Sequence, residues 1–514
     1  MCPMASPASA FDREMGRLND VLCAINLLTW DARTQMPAGA AQMRGSQIAT
    51  LTGLAREIAT GHTLRDAIAA ELDTLDDRQL DDRPEVALRR RALLDTEAAI
   101  RITGRIPEAL LTEAAVLKTT AQQVWADARR HNDFARFLPA LERTVAIQRQ
   151  IAAAIGYEVH PYDALIRQYE PGMSLAALQK LFGHLKAGLL PLIDTALGRP
   201  QPRLDILERV FPVAMQKRFA LDIAQLFGYD LQRGRLDETV HPFEVSFTRE
   251  DVRITGRFRD SWLPGGLFAI WHEAGHGIYE QGIDPAFTRS AFATDIINLY
   301  AVGGASFGTH ESQSRLFENR VGRSHRFWEL HYGALQRSFP ESLADVDMET
   351  FWRAVNAVRP SLIRVEADEL TYDFHVILRV EIEAALIAGE IAARDLPAIW
   401  GEKMKGYLGL AVPDDTRGVL QDVHWSSGMI GSFPTYTIGN VMSAQFFAAA
   451  CKEPEVARGL DAGDYLPLTR WLNQHVHRHG RSKTPDEILH LATGSGLDPK
   501  QYMENLGEKV ALLA

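Results

Sequence analysis

Apolar residues in this 514-residue chain recur at steps of three and four, the spacing that most constrains its fold. Met15, Leu18, Leu22 and Ile25 share one face at a period near 3.6, which a helix satisfies and a strand does not. Ser174 is placed to cap a helix running through Leu178, Leu181 and Leu185. Thr484-Pro485-Asp486-Glu487 is a helix start: Thr484 caps, Pro485 suits the first turn, and Glu487 can return a capping-box bond. One stretch departs from this rule. Within Pro242 to Phe258, Phe243, Val245 and Phe247, then Val252 and Ile254, alternate with polar residues, which predicts a small hairpin or edge sheet.

Breaks are few. Gly198-Arg199-Pro200-Gln201-Pro202 reads as a hinge or surface loop, and Asp73 to Pro84, charged and poor in large apolar residues, as an exposed connection. No repeat or low-complexity tract interrupts the pattern. With 46% hydrophobic residues, the chain can bury one large or two medium cores. The expectation is a mostly α protein, one bilobed unit over residues 1–514 with one small sheet and its chemistry within residues 241–440.

Charge narrows the partners. Acidic residues number 66 against 55 basic, a formal net charge of −11, which disfavours nucleic acid and anionic membrane at long range. No run of about 18 uncharged apolar residues is present, and Met1 to Phe11 lacks the charge and apolar core of a secretory signal. Cys2, Cys23 and Cys451 form no disulfide or metal-binding pattern and read as reduced thiols of a cytoplasmic protein.

The chemistry starts at Trp271-His272-Glu273-Ala274-Gly275-His276. Residues four apart share a helical face, so His272 and His276 can bind one metal ion, with Glu273 beside them to activate water. Leu267, Ile270, Trp271, Ala274 and Ile278 form a separate apolar stripe that would seat this helix in the core. The competing reading is a buried helix with two hydrogen-bonded histidines. A catalytic zinc site usually takes three protein ligands, and Glu311 in His310-Glu311-Ser312-Gln313 is the downstream candidate. His310 is its rival, but would point about 100° away around the helix. Glu311 could instead be a solvated carboxylate at a helix start.

Further motifs surround this one. Asp251-Val252-Arg253-Ile254-Thr255, His310-Glu311-Ser312-Gln313, Ile363-Arg364-Val365-Glu366-Ala367-Asp368 and Gly418-Val419-Leu420-Gln421-Asp422-Val423-His424-Trp425 occur in order. With Trp30-Asp31, Met36-Pro37 and His241-Pro242-Phe243, they make the chain resemble the carboxypeptidase Taq family of metallocarboxypeptidases from about Trp30 to Tyr436. That resemblance implies an almost all-helical fold with a deep groove between two lobes, a zinc or cobalt ion at its floor, and a homodimer. It implies removal of single residues from free peptide C-termini with broad specificity. Glu311 lies 35 residues after His276, more than the family's usual spacing, which locates extra residues within Thr288 to Ser306. Such an insertion is tolerable if it bulges outward, and could alter the groove wall.

The remaining roles follow from the chemistry and from family position. Tyr436 and His424 are the candidates for stabilising the oxyanion, against the reading that both are core residues. Arg364 is the first candidate for gripping the substrate carboxylate and Arg253 the second, because a guanidinium fork binds carboxylates bidentately. An Arg364–Asp368 ion pair at helical spacing is the alternative. His375, expected on one helical face with Tyr372 and Asp368, lines the groove, orients a ligand or sits in the core. An endo-oligopeptidase or dipeptidyl carboxypeptidase, and a non-catalytic peptide binder, are the competing functions.

Overall fold

A computed structural model describes residues 8–75 and 83–513. Residues 1–7 and part of the Asp73 to Pro84 connection therefore lie outside the described residues. The protein is mostly helical, with two small sheets among the described residues. Its chain divides into two compact units, each assembled from three separate segments.

The first unit comprises Met1–Gly104, Val210–Ala305 and Ala450–Ala492. Its opening helix, Ala10–Thr34, buries Met15, Leu18 and Leu22 completely, as their spacing predicts. They join Ile58, Leu64, Ile68 and Leu93 in one apolar core. The predicted start signal near Thr484 holds: the Glu487 amide donates to Thr484 Oγ1 at 3.2 Å, and the Thr484 amide donates to the Glu487 carboxylate at 2.6 Å.

The period-two stretch forms β2 (Glu244–Thr248) and β3 (Asp251–Gly256), paired antiparallel. A third strand that alternation did not reveal, β1 (Gly234–Glu238), pairs parallel to β3 on its other side. It has only one apolar side chain, Leu236, so β3 rather than its own pattern defines it. The region Thr288 to Ser306 does not bulge into solvent. It carries a two-residue pairing of β4 (Thr294–Asp295) with β5 (Tyr300–Ala301), and Phe292, Ile296 and Ala301 join the core of the opening helices.

The second unit comprises Arg105–Arg209, Ser306–Ala449 and Thr493–Ala514. Ser174 caps Leu175–Leu197 by accepting from the Ala177 amide at 3.3 Å, and Leu178 and Leu185 are fully buried. Gly198 to Pro202 follows as an irregular, largely exposed loop. The helix Tyr372–Ala388 is sunk among its neighbours, and burial extends to Asp373, His375, Arg379 and Glu383. Asp368 precedes this helix and is not on it: its carboxylate accepts from the Leu370 and Thr371 amides. The predicted Arg364–Asp368 helical spacing is therefore absent.

Candidate metal centre and active site

The helix Leu263–Gln281 carries His272, Glu273 and His276. Pro264 sits in its first turn, where its missing amide hydrogen costs nothing. The predicted stripe is buried: Leu267, Ile270, Trp271, Ala274 and Ile278 are at most 3% exposed. Trp271 fixes the rotation of the helix by donating Nε1–H to the Ala220 carbonyl at 3.1 Å. Gly277 lets the helix press against Tyr229 and Ile254, since a Cβ there would lie 2.8 Å from the Tyr229 ring. With one side locked, the half-buried imidazoles of His272 and His276 lie together on the other, their ring centroids 4.9 Å apart.

The last turn of this helix is held as tightly. Glu280 accepts from the amides of Gly303 and Gly304 at 2.8–3.1 Å, and Tyr279 accepts from the Ala305 amide at 3.1 Å. Gly303, Gly304 and Ala305 are thus tied back onto the helix that carries the histidines.

Glu311 stands on the helix Phe307–Arg315, which passes into a π-helical turn over Leu316–Val321. Such turns are frequent at functional sites. Ser306 caps the helix through the Thr309 amide at 2.9 Å. Glu170 braces the same end, accepting from Ser306 Oγ at 3.0 Å and the Gly308 amide at 2.9 Å. Burial pushes the Glu170 carboxyl up to about 7, against the lowering effect of those two bonds. Both oxygens of Glu311 are oriented: Arg315 Nε donates to one at 2.7 Å and Ser314 Oγ to the other at 3.1 Å. The helix Pro434–Ala450 closes on Glu311 at Gly439, where a Cβ would lie 2.5 Å from Glu311 Cγ.

One ligand atom each from His272, His276 and Glu311 fall within 4.8 Å of one another. Two imidazoles and a carboxylate at this separation fit a single divalent cation. His310 is not part of this set.

Around Arg364 lies a buried charged cluster. Arg364 Nη2 donates to Asp422 at 2.9 Å, and its Nη1 donates to the Tyr372 hydroxyl at 2.7 Å. Its ion-pair partner is therefore Asp422, not Asp368. Arg379 Nε donates to the other Asp422 oxygen at 2.7 Å. Burial alone would raise the Asp422 pKa, but the two guanidiniums hold it well below the usual carboxylate range. Two cations on one anion leave the cluster with a formal surplus of one positive charge. His424 Nε2 and the Tyr436 hydroxyl lie 2.9 Å apart. Burial takes the His424 pKa down to about 3, so the imidazole is neutral at pH 7, and burial raises Tyr436, which keeps its proton. His375 is fully buried, and burial with Arg379 and Arg364 nearby holds it down to about 3, a neutral core imidazole. Arg253 pairs with Asp251 through two bonds of 2.8 Å and stacks over Trp30 at 4.4 Å.

Sequence reasoning missed Arg379, Glu383, Glu170 and Gly439. Glu383 accepts from Tyr162, Trp425 and the Gly431 amide at 2.6–2.8 Å, so it fixes the loop that presents His424. Arg379 and Glu383 stand four apart on a helix that also carries Asp373 and Glu381, and charges buried there need partners. Glu170 and Gly439 carry no such local signal.

A His-Glu-x-x-His helix joined by a glutamate carboxylate is the ligand plan of a zinc-type metallopeptidase. The comparisons show a metallopeptidase family. A family model described as carboxypeptidase Taq (M32) metallopeptidase matches residues 10–510. The chain is 39% identical to thermostable carboxypeptidase 1 of Thermus thermophilus over 509 residues, and 36% identical to carboxypeptidase 1 of Bacillus subtilis over 493, covering 95% of both chains in each case. The crystal structure of an M32 carboxypeptidase from Deinococcus radiodurans superposes with a TM-score of 0.90 at 39% identity, covering 98% of each chain. This chain belongs to the carboxypeptidase Taq family, and it is a peptide hydrolase.

Proposed function

We propose that this protein removes single amino acids from the free C-termini of peptides, with broad specificity, using zinc held by His272, His276 and Glu311. The observation that carries this is the clustering of those three ligands within 4.8 Å. When bound, the ion supplies Lewis acidity that polarises the scissile carbonyl and lowers the pKa of water. Cobalt suits the same ligands. Glu273, next to His272, takes the proton from the attacking water and passes it to the leaving amine. Tyr436 donates to the developing oxyanion, which requires the His424 tautomer that carries its hydrogen on Nε2 and donates to the Tyr436 oxygen. His424 and Glu383 fix that geometry.

Arg364 attracts the substrate carboxylate, backed by the surplus charge of the Arg364–Asp422–Arg379 cluster. Arg253 is the alternative clamp, and His375 supports the clamp helix from within. The family resemblance further implies a homodimer, and Cys23 and Cys451, both free, suit the cytoplasm.

Mass spectrometry of a mixed peptide pool incubated with the metal-loaded protein tests the activity. Ladders of single-residue losses are expected, whereas internal cuts or dipeptide losses would overturn it. Amidating the C-terminus of one peptide should cost roughly 30-fold or more in kcat/KM, because it removes the partner of a charge-assisted contact. Arg364→Ala should lose a similar factor on the free acid and little more on the amide, since both changes delete one contact. An additive effect would move the clamp to Arg253.

A further inference from the structure

Beyond the C-terminal end of the metal-bearing helix, the first unit holds a cavity of about 490 Å³. Its charged lining consists of Arg233, Arg249, Arg470 and Arg478, with Gln281 and Asn473 among the neutral polar groups and no carboxylate side chain. In a chain with more acidic than basic residues, a lining of four arginines and no acid is a concentration of one sign of charge.

The acids that pair with these arginines stand outside the lining. Asp230 lies 2.9 Å from Arg233 and Glu250 2.8 Å from Arg249, with Glu250 also 3.9 Å from Arg233. Glu455 lies 2.6 Å from Arg470 and Asp284 3.7 Å from Arg478. These four carboxylates are 31–69% exposed, so water screens their hold on the guanidiniums. Each arginine carries five donors and each pairing uses only some of them. Arg249 Nε is buried with no hydrogen-bond partner. Arg470 and Arg478 are 62% and 54% exposed, so their pairs with Glu455 and Asp284 are screened by water.

The geometry points to a second site here, separate from the metal ligands, that binds a small multivalent oxyanion of the phosphate class. Planar guanidinium forks match the oxygens of such an anion, and the neutral donor Asn473 adds to them. The site touches the catalytic helix directly. Arg233 Nη1 donates to the Gln281 carbonyl at 3.0 Å and Arg249 Nη2 to the same oxygen at 3.3 Å, while Asn473 donates to Gly282 at 2.7 Å. An anion drawing on these groups therefore acts on the end of the helix whose other turns carry His272 and His276.

Calorimetry on the metal-loaded, full-length protein tests the site, with inorganic phosphate and glycerol 2-phosphate as probes at an ionic strength matched with sodium chloride. Saturable binding of one anion per chain is expected. Arg470→Gln combined with Arg478→Gln should weaken it by about tenfold, because two charge-assisted contacts are lost at partly exposed positions. Basal peptidase activity without the anion should be unchanged. If the double variant does not fold, Arg470→Gln alone serves, expected to weaken binding about threefold or more. Chelator-treated protein should bind phosphate as tightly as the metal-loaded form. No saturable binding above the chloride control, undiminished affinity in the variant that folds, or loss of binding on metal removal would each overturn the inference.

Discussion

Glu273 is 6% exposed and adjoins His272 on the same helix, outside the cluster of His272, His276 and Glu311. Glu273→Gln should keep the metal and lose nearly all turnover, because an amide cannot accept the water's proton. Metal analysis with steady-state kinetics checks this, and activity near wild type would end the general-base assignment. The third ligand is open to an equally local test. Glu311→Ala should weaken metal binding at least tenfold, as expected for a metal ion left with two protein ligands, whereas His310→Ala should change it far less. Competition with a chelating dye measures both, and the reverse order would move the ligand by one residue. His272-Glu273-Ala274-Gly275-His276 is readable from sequence because every relevant atom lies within one helical turn. The pairing of Arg364 with Asp422 is not readable this way. Asp422 is 58 positions away, and only the packing of the Tyr372–Ala388 helix brings it and Arg379 together.

Among the elements, the helix pair at Gly439 is the tightest constraint on Glu311. A methyl group there would meet Glu311 Cγ at 2.5 Å, Cβ at 2.7 Å and the backbone carbon at 3.1 Å, so one helix must retreat. Gly439→Ala should lower stability by about 1–3 kcal/mol through overpacking. It should also weaken metal affinity by roughly tenfold, since a sub-ångström shift of a ligand is enough to spoil the site. Thermal melts and dye competition on the same preparation separate the effects, and an unaltered metal affinity would mean the contact has slack. Helix ends were legible in advance where a side chain caps them, as at Ser174 and Thr484. The strand β1 was not, because its pairing with β3 rather than its own alternation makes it a strand. The segment Thr288 to Ser306 packs inward for a similar reason: Phe292 and Ile296 join the apolar core of helices near the N-terminus.

At the scale of the whole molecule, two fully buried carboxyls give stability a pH dependence. Burial raises Glu170 and Glu383 to about 7 from an unfolded value near 4.5, despite the hydrogen bonds each accepts. Between those limits the folded state holds protons that the unfolded state has released, so stability falls as pH rises. Asp422, held low by two arginines, acts oppositely and only under more acidic conditions, with stability lost as pH falls below its unfolded range. His375 and His424, held neutral in the fold, act the other way below about pH 6.5, so the fall in melting temperature is expected above that point, while each carboxyl by itself contributes on the order of a few kcal/mol between about pH 5 and pH 7. Glu383→Gln mimics the neutral form, so its stability relative to wild type should rise with pH across that window. A difference that stays flat with pH would show that Glu383 is already ionised in the fold at pH 5.

By itself the sequence determined a mostly helical protein, the helix carrying His272, Glu273 and His276, the candidacy of Glu311 and, through ordered motifs, the family. Those features depend on periodicities and spacings that act within a few residues, or on residue strings that stand next to one another. Tertiary structure decided which carboxylate pairs with Arg364, that His375 is a neutral core residue, that Gly439 presses on Glu311, and that four arginines surround one cavity. Each of these joins positions scores to hundreds of residues apart. Their energies arise from desolvation and close packing, which have no value until the chain has chosen its neighbours.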